Sequence, residues 1–218
     1  MGKYKKFNIK EITKTLFELK SNFDSINYQL VRKKEKLSDT IIENIIETYQ
    51  YINELLDKDI ELFSSAGLYS MAELNHIVLC GTKKEKRIEY HKHIVETREK
   101  FQKNIKPIFE WYKKESKEKE ISPFKLASGF YVKALSQPQL FIEGNHRTEN
   151  VIMNYILVSF GKPPFILSTH NAIKYFEPSA QLKVTSKENF MSNIREIPNL
   201  KKEIKKLLEK YVDEKYIY

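Results

Sequence analysis

Residues 137–150 read Gln-Pro-Gln-Leu-Phe-Ile-Glu-Gly-Asn-His-Arg-Thr-Glu-Asn and run into an apolar stretch that ends at Gly161, Pro163 and Pro164. Gly144 stands between an acid and an amide, a position that suits a tight loop where the backbone takes unusual angles or comes close to a ligand. Beyond it Val151, Ile152, Tyr155 and Ile156 recur at helical spacing, and Leu157 and Val158 widen the stripe. The spacing predicts a loop feeding a helix that stops at Gly161. The first turn of such a helix offers unpaired N–H groups and the positive end of a dipole, both attractive to phosphate. Asn145 and Arg147 would add side-chain donors, and Glu143 supplies the oxygen ligand that a divalent cation prefers. From the residues alone, a phosphate-binding loop and an ordinary capped turn both remain open.

Working outward, Ser122-Pro123 forms a cap followed by proline at the first helical position. Phe124, Ala127, Phe130, Tyr131, Ala134 and Leu135 then give a helix with a buried face leading into the loop. Ser38-Asp39-Thr40 caps another strong stripe: Ile41, Ile42, Ile45, Ile46, Tyr49, Ile52, Leu55 and Leu56. Residues 1–37 carry one amphipathic helix through Ile9, Ile12, Leu16 and Leu19, with a break expected around Asn22, Asp24, Ser25 and Asn27. Residues 57–69 read as a connector, and Ser70 as the cap of a short helix ending at Gly81. A longer helical pattern from Lys83 to about Glu115 should be interrupted between Asn104 and Pro107, because proline pushes its predecessor out of helical geometry. Pro198 opens a last helix with Leu200, Ile204, Leu207, Leu208, Tyr211 and Val212 on one side.

Phe141-Ile142-Glu143-Gly144-Asn145-His146-Arg147 resembles the signature of the Fic domain, written H-x-F-x-[D/E]-G-N-G-R-x-x-R. Asn154-Tyr155-Ile156-Leu157 and Gly161-Lys162-Pro163-Pro164 resemble the segment C-terminal to the signature in that family. The resemblance covers about 45 residues. It implies a helical domain whose active members transfer AMP from ATP to a protein hydroxyl, with Mg²⁺ held at Glu143 and phosphates cradled by Gly144, Asn145 and Arg147. Three positions depart from the pattern. Gln139 replaces the family's catalytic histidine, and an amide cannot take a proton from a target hydroxyl; losing a positioned base forfeits ~10²–10⁴ in rate. His146 replaces the loop's second glycine, where its ring would contact phosphate, serve as a displaced base, or obstruct the pocket. Asn150 replaces the second arginine, which meets the far end of the nucleotide. Asp39-Thr40-Ile41-Ile42-Glu43-Asn44 resembles the family's inhibitory helix, [S/T]-x-x-x-E-[G/N]. By that resemblance Glu43 is a regulatory residue; by composition it is an exposed residue of a core helix.

The 218 residues, 41% hydrophobic, suffice for one substantial core. No apolar run reaches the ~18 residues that span a bilayer, and the N-terminus lacks the apolar segment of a signal peptide, so a cytoplasmic protein without a membrane partner is expected. Cys80 is the single cysteine and excludes an internal disulfide. The net charge of +9 comes from 38 basic and 29 acidic residues interleaved along helix-like segments, which argues for solvated faces and against nucleic acid as partner. Arg32-Lys33-Lys34 is read in the same way.

The expected fold is all-α: a Fic-like core over 38–180 with helical extensions at 1–37 and 181–218. The expected function is binding of ATP or another nucleotide with Mg²⁺ at 139–150, with conventional AMP transfer weakened or lost. Two alternatives are an active nucleotidyltransferase using His146 and a non-enzymatic helical module that binds protein or nucleic acid. A target protein or an antitoxin-like partner fits the first two readings.

Overall fold

The computed structural model describes residues 5–218. The fold is all-α: among the described residues there are ten α-helices, and extended pairing is limited to two isolated bridges, Phe7 with Ile217 and Gln137 with Ser186.

The centre is a pair of helices, α7 (Pro123–Leu135) and α8 (Asn145–Ser159), joined by the 136–144 loop. Every residue of α8 from Val151 to Val158 is buried, so this helix is covered all round. Full burial of a side chain such as Ile152 or Ile156 contributes ~1.5–3 kcal/mol. Around the pair lie α3 (Asp39–Asp57), α4 (Gly67–Cys80), α6 (His91–Glu115), α9 (Ala172–Val184) and α10 (Ile197–Tyr211). Ser38 caps α3 by accepting from Ile41 N, and Ser122 caps α7 by accepting from Lys125 N. α10 buries only Leu200, Ile204, Leu207 and Leu208, the stripe its sequence displays.

Both ends of the described residues pack into this same core. Phe7, Ile12 and Leu16, the latter two on α1 (Ile9–Ser21), share one apolar cluster with Ile204, Leu208 and Tyr216. Asn8 N donates to Tyr216 O, and Tyr218 N to Lys6 O.

Several boundaries differ from the sequence reading. The expected break after Asn22 is a single residue, because a second helix, α2 (Phe23–Gln29), starts at once and buries Phe23 and Ile26. α4 begins at Gly67, with Ser70 inside it; Gly67 N donates to Ser64 Oγ at 3.0 Å. α6 runs unbroken through Pro107, since Phe101, Ile105, Ile108 and Tyr112 bury a continuous stripe on both sides of the proline. The interruption comes earlier, at Tyr90, between α5 (Lys84–Glu89) and α6.

Candidate functional site

The 136–144 loop and the first turn of α8 are held together by side chains that serve as backbone partners. Asn145 is buried and spans the loop: its Oδ1 accepts from Phe141 N at 2.9 Å and its Nδ2 donates to Phe141 O at 3.0 Å. Gln139 is also buried; its Nε2 donates to Leu135 O, its Oε1 accepts from Asn145 Nδ2, and its carbonyl accepts from Asn104 Nδ2. Both ends of this amide are therefore engaged within the loop. From α4, Asn75 Nδ2 lies 2.9 Å from both Glu143 O and Thr148 Oγ1, fastening the loop to the first turn of α8. On the other side Gln137, preceding a cis proline, pairs with the 185–187 segment through Gln137 N to Thr185 O and Lys187 N to Gln137 O. Lys187 Nζ then donates to Lys133 O and Pro138 O, covering a carbonyl at the end of α7.

Gly144 adopts φ +71° immediately before α8, a left-handed conformation that glycine takes without strain. A Cβ there would meet Asn75 Nδ2 at 3.0 Å and Val78 Cγ1 at 3.2 Å. No side chain caps α8, so its first N–H groups have no capping partner. Glu143 is exposed, Arg147 is partly buried, and Arg147 meets Glu35 Oε1 at 3.4 Å. Glu35 and Glu143 both act to raise the Arg147 pKa against the larger effect of burial.

His146 is turned inward. Its Nδ1 is 3.5 Å from the Tyr131 hydroxyl, and its Nε2 is buried without a partner. Burial first, then the charges of Lys34, Lys183 and Arg147, push the imidazole down to about 3. The Tyr131 hydroxyl lies 2.9 Å from that of Tyr175 and 2.8 Å from Ser179 Oγ, while Tyr175 donates to His146 O. Asn150 Oδ1 is shared by Tyr49 OH and Asn154 Nδ2, and Asn150 Nδ2 is buried without a partner. The loop thus brings together Gln139, Glu143, Gly144, Asn145, His146, Arg147 and Asn150. Glu43 is exposed on α3, and the carboxylate that meets the loop arginine is Glu35 instead.

Three residues at the site escaped the sequence reading: Asn75, Glu35 and Glu149. Glu149 is fully buried with both carboxyl oxygens unpartnered. Burial pushes its carboxyl well above the usual carboxylate range, against the opposing pull of Lys187 and Lys100. Its position on one face with Ile152, Met153 and Ile156 was the available signal, since those spacings place it in the buried stripe.

Two surface concavities, of about 370 and 510 Å³, lie elsewhere: one around Phe63, Tyr112 and Phe160, the other around Val184, Thr185 and Leu200. Neither is lined by residues 139–150. Among the described residues, no cluster of three His, Cys, Asp or Glu could hold a metal, so a divalent ion at Glu143 would take most of its ligands from phosphate and water, as Mg²⁺ commonly does. Among the same residues no helix is long and apolar enough to cross a membrane. Compared with known proteins, the chain matches no family model, and no curated protein or solved structure is detectably similar to it.

Proposed function

We propose that the chain is a Fic-like protein whose 139–150 loop binds the phosphates of ATP or another nucleotide, with conventional AMP transfer weakened or lost. The observation that carries this reading is the start of α8: a fifteen-residue helix with no side-chain cap, entered through left-handed Gly144 and flanked by Arg147. Its open N–H groups and dipole would receive phosphate, and Arg147 would pair with it once Glu35 moves aside. Glu143 is exposed and fits the single protein carboxylate of a Mg²⁺ ion that bridges phosphates, an ion that would neutralise charge there.

Weak catalysis follows from two side chains. Gln139 does not titrate and both ends of its amide are engaged, so it holds the loop and takes no proton. The His146 imidazole, held near 3, is far from the operating pH at which a general base is most effective. This argues against His146 as a displaced base. A transferase of that kind predicts covalent nucleotide addition to a target protein or to itself, abolished in His146→Ala.

The reading is tested by titration calorimetry with ATP, GTP, CTP and UTP, with and without Mg²⁺, on the parent, Glu143→Ala and Arg147→Ala. Magnesium-dependent binding, lost in both variants, is expected. Absence of binding by every nucleotide would mean an ordinary turn that His146 and Asn150 have closed. The chain would then be a module acting through its surface on a protein partner.

A further inference from the structure

The end of α8, about 20 Å along the helix from Gly144, meets the end of α6 and the 58–66 connection between α3 and α4. These three elements border the concavity of about 370 Å³, which falls within the ~300–1,000 Å³ of small-molecule sites. Packing and hydrogen bonds fix its walls. The Phe63 and Tyr112 rings are stacked, 3.4 Å between centres, and Phe63 meets Phe130 edge-on at 5.5 Å. Leu62 N donates to Tyr155 OH at 3.2 Å, and Ser64 N and Oγ both donate to Glu61 O. Gly67 lets this turn close on α4, since a Cβ there would stand 2.0 Å from Glu61 O. Phe160, which also borders the cavity, is 36% exposed.

Charges of both signs stand around this cavity: Glu61 on the connection, Lys113 and Lys117 at the end of α6. The Lys113 ammonium is folded back over the Phe109 ring, 4.6 Å from its centre. Among the described residues Glu61 and Lys117 enter no ion pair, although twelve such pairs occur elsewhere in the chain. Both α6 and α8 end at the cavity, so the negative ends of two helix dipoles favour a cation there. Ser159 Oγ donates to Ile156 O at 3.0 Å and Ser116 Oγ to Lys113 O at 3.5 Å, which leaves both hydroxyl oxygens only as acceptors. An ammonium supplies the donors that these oxygens and Glu61 can accept, while Lys117 calls for an anion beside it. The aromatic walls fit a flat apolar body between the two charges.

We propose that this cavity binds an α-amino acid with an aromatic side chain. The ammonium of the ligand donates to Glu61 and to the Ser159 hydroxyl, its carboxylate pairs with Lys117, and its ring packs on Phe160 beside the Phe63–Tyr112 pair. Selection comes from the three contacts together: an aromatic amine lacks the carboxylate, an aromatic acid lacks the ammonium, and a small aliphatic amino acid lacks the ring. The site lies at the opposite end of α8 from residues 139–150 and does not depend on the phosphate-binding reading of that loop.

Calorimetry of the full chain with L-phenylalanine, phenethylamine, 3-phenylpropionate and L-alanine, near neutral pH and at fixed ionic strength, tests the site. Phenylalanine should bind, and each of the other three should bind at least about tenfold more weakly, the size of one charge-assisted or aromatic contact. Lys117→Gln should erase the preference for phenylalanine over phenethylamine, and Glu61→Gln the preference over 3-phenylpropionate. Phe160→Ala should weaken phenylalanine about tenfold. All three side chains are exposed, so these variants should keep the parent's Tm. Arg147→Ala should bind phenylalanine like the parent, whatever it does to nucleotide binding. A parent that gives no heat with phenylalanine, or binds phenethylamine equally well, overturns the proposal. Phenylalanine affinity unchanged in all three cavity variants would put the ligand elsewhere and overturn it as well.

Discussion

Replacing Glu149 by glutamine should make the protein progressively more stable than the parent as pH rises. Glu149 is fully buried, both carboxyl oxygens lack hydrogen-bond partners, and neither Lys100 nor Lys187 forms an ion pair with it. Burial raises its pKa well above 4.5, so the folded chain keeps a proton that the unfolded chain releases. The sign follows from proton counting. Below the unfolded pKa both states carry the proton and Glu149 has no effect on stability. Above it the folded state binds more protons than the unfolded one, and stability falls with pH until the folded pKa is reached. The slope is about 1.4 kcal/mol per pH unit, and for a chain of this size 1 kcal/mol shifts Tm by about 2–4 °C. Glutamine keeps the shape and cannot ionise, so its Tm advantage should grow by ~3–5 °C for each pH unit above 5 while the parent's carboxyl stays protonated.

His146 acts in the opposite direction. Its folded pKa is depressed from 6.5 to about 3, so between those values the unfolded state binds the extra proton and stability rises with pH. Between about pH 4.5 and 6.5 the two effects offset each other in the parent, which should show a nearly flat contribution from this pair. Each single variant should uncover the slope of the other group. Thermal scans of the parent, Glu149→Gln and His146→Gln from pH 4.5 to 8 provide the measurement. Parallel profiles for parent and Glu149→Gln would show that the carboxyl is ionised in the folded state, and the description of α8 as carrying a neutral buried acid would be wrong.

Asn145→Ala removes the side-chain partners of the buried Phe141 N–H and carbonyl, and should cost ~2–6 kcal/mol in urea denaturation at ~1–3 kcal/mol for each orphaned group. Gly144→Ala must hold alanine at φ +71° with its Cβ 3.0 Å from Asn75 Nδ2, a loss of ~1–3 kcal/mol by the same assay. Glu143→Ala, at an exposed carboxylate, should stay within about 0.5 kcal/mol of the parent, so any loss of ligand binding in it reports on the site and not on folding. Pro107→Ala restores an N–H inside α6 and should raise stability by ~1–3 kcal/mol; a destabilised variant would mean that the proline ring packs against something essential.

What the sequence made legible is what burial writes as a period. α3, α7, α8 and α10 bury apolar positions three and four residues apart; α3 and α7 could be placed from stripe and cap, α8 and α10 from the stripe with Gly144 and Pro198 near their starts. Local breaking signals misled where packing opposed them: Pro107 lost to the stripe from Phe101 to Tyr112, and the polar residues after Asn22 lost to Phe23 and Ile26. The site divides along the same line. Its contiguous part, Gln139 to Asn150, could be read because one loop carries it. Asn75 and Glu35 arrive from α4 and from the 30–38 connection, and no spacing in a chain records which elements will meet. The Arg32-Lys33-Lys34 run illustrates the loss of information: as composition it is a solvated cluster, yet Asn27 and α9 fix its backbone and Lys34 lies 5.7 Å from the centre of the Phe176 ring. Glu149 is the intermediate case, because its helical face was legible and its meaning was not. An acid among Ile152, Met153 and Ile156 lies in the buried stripe by its spacing, but only the packing around it shows that the carboxyl is left without partners, an arrangement that costs stability once the group ionises.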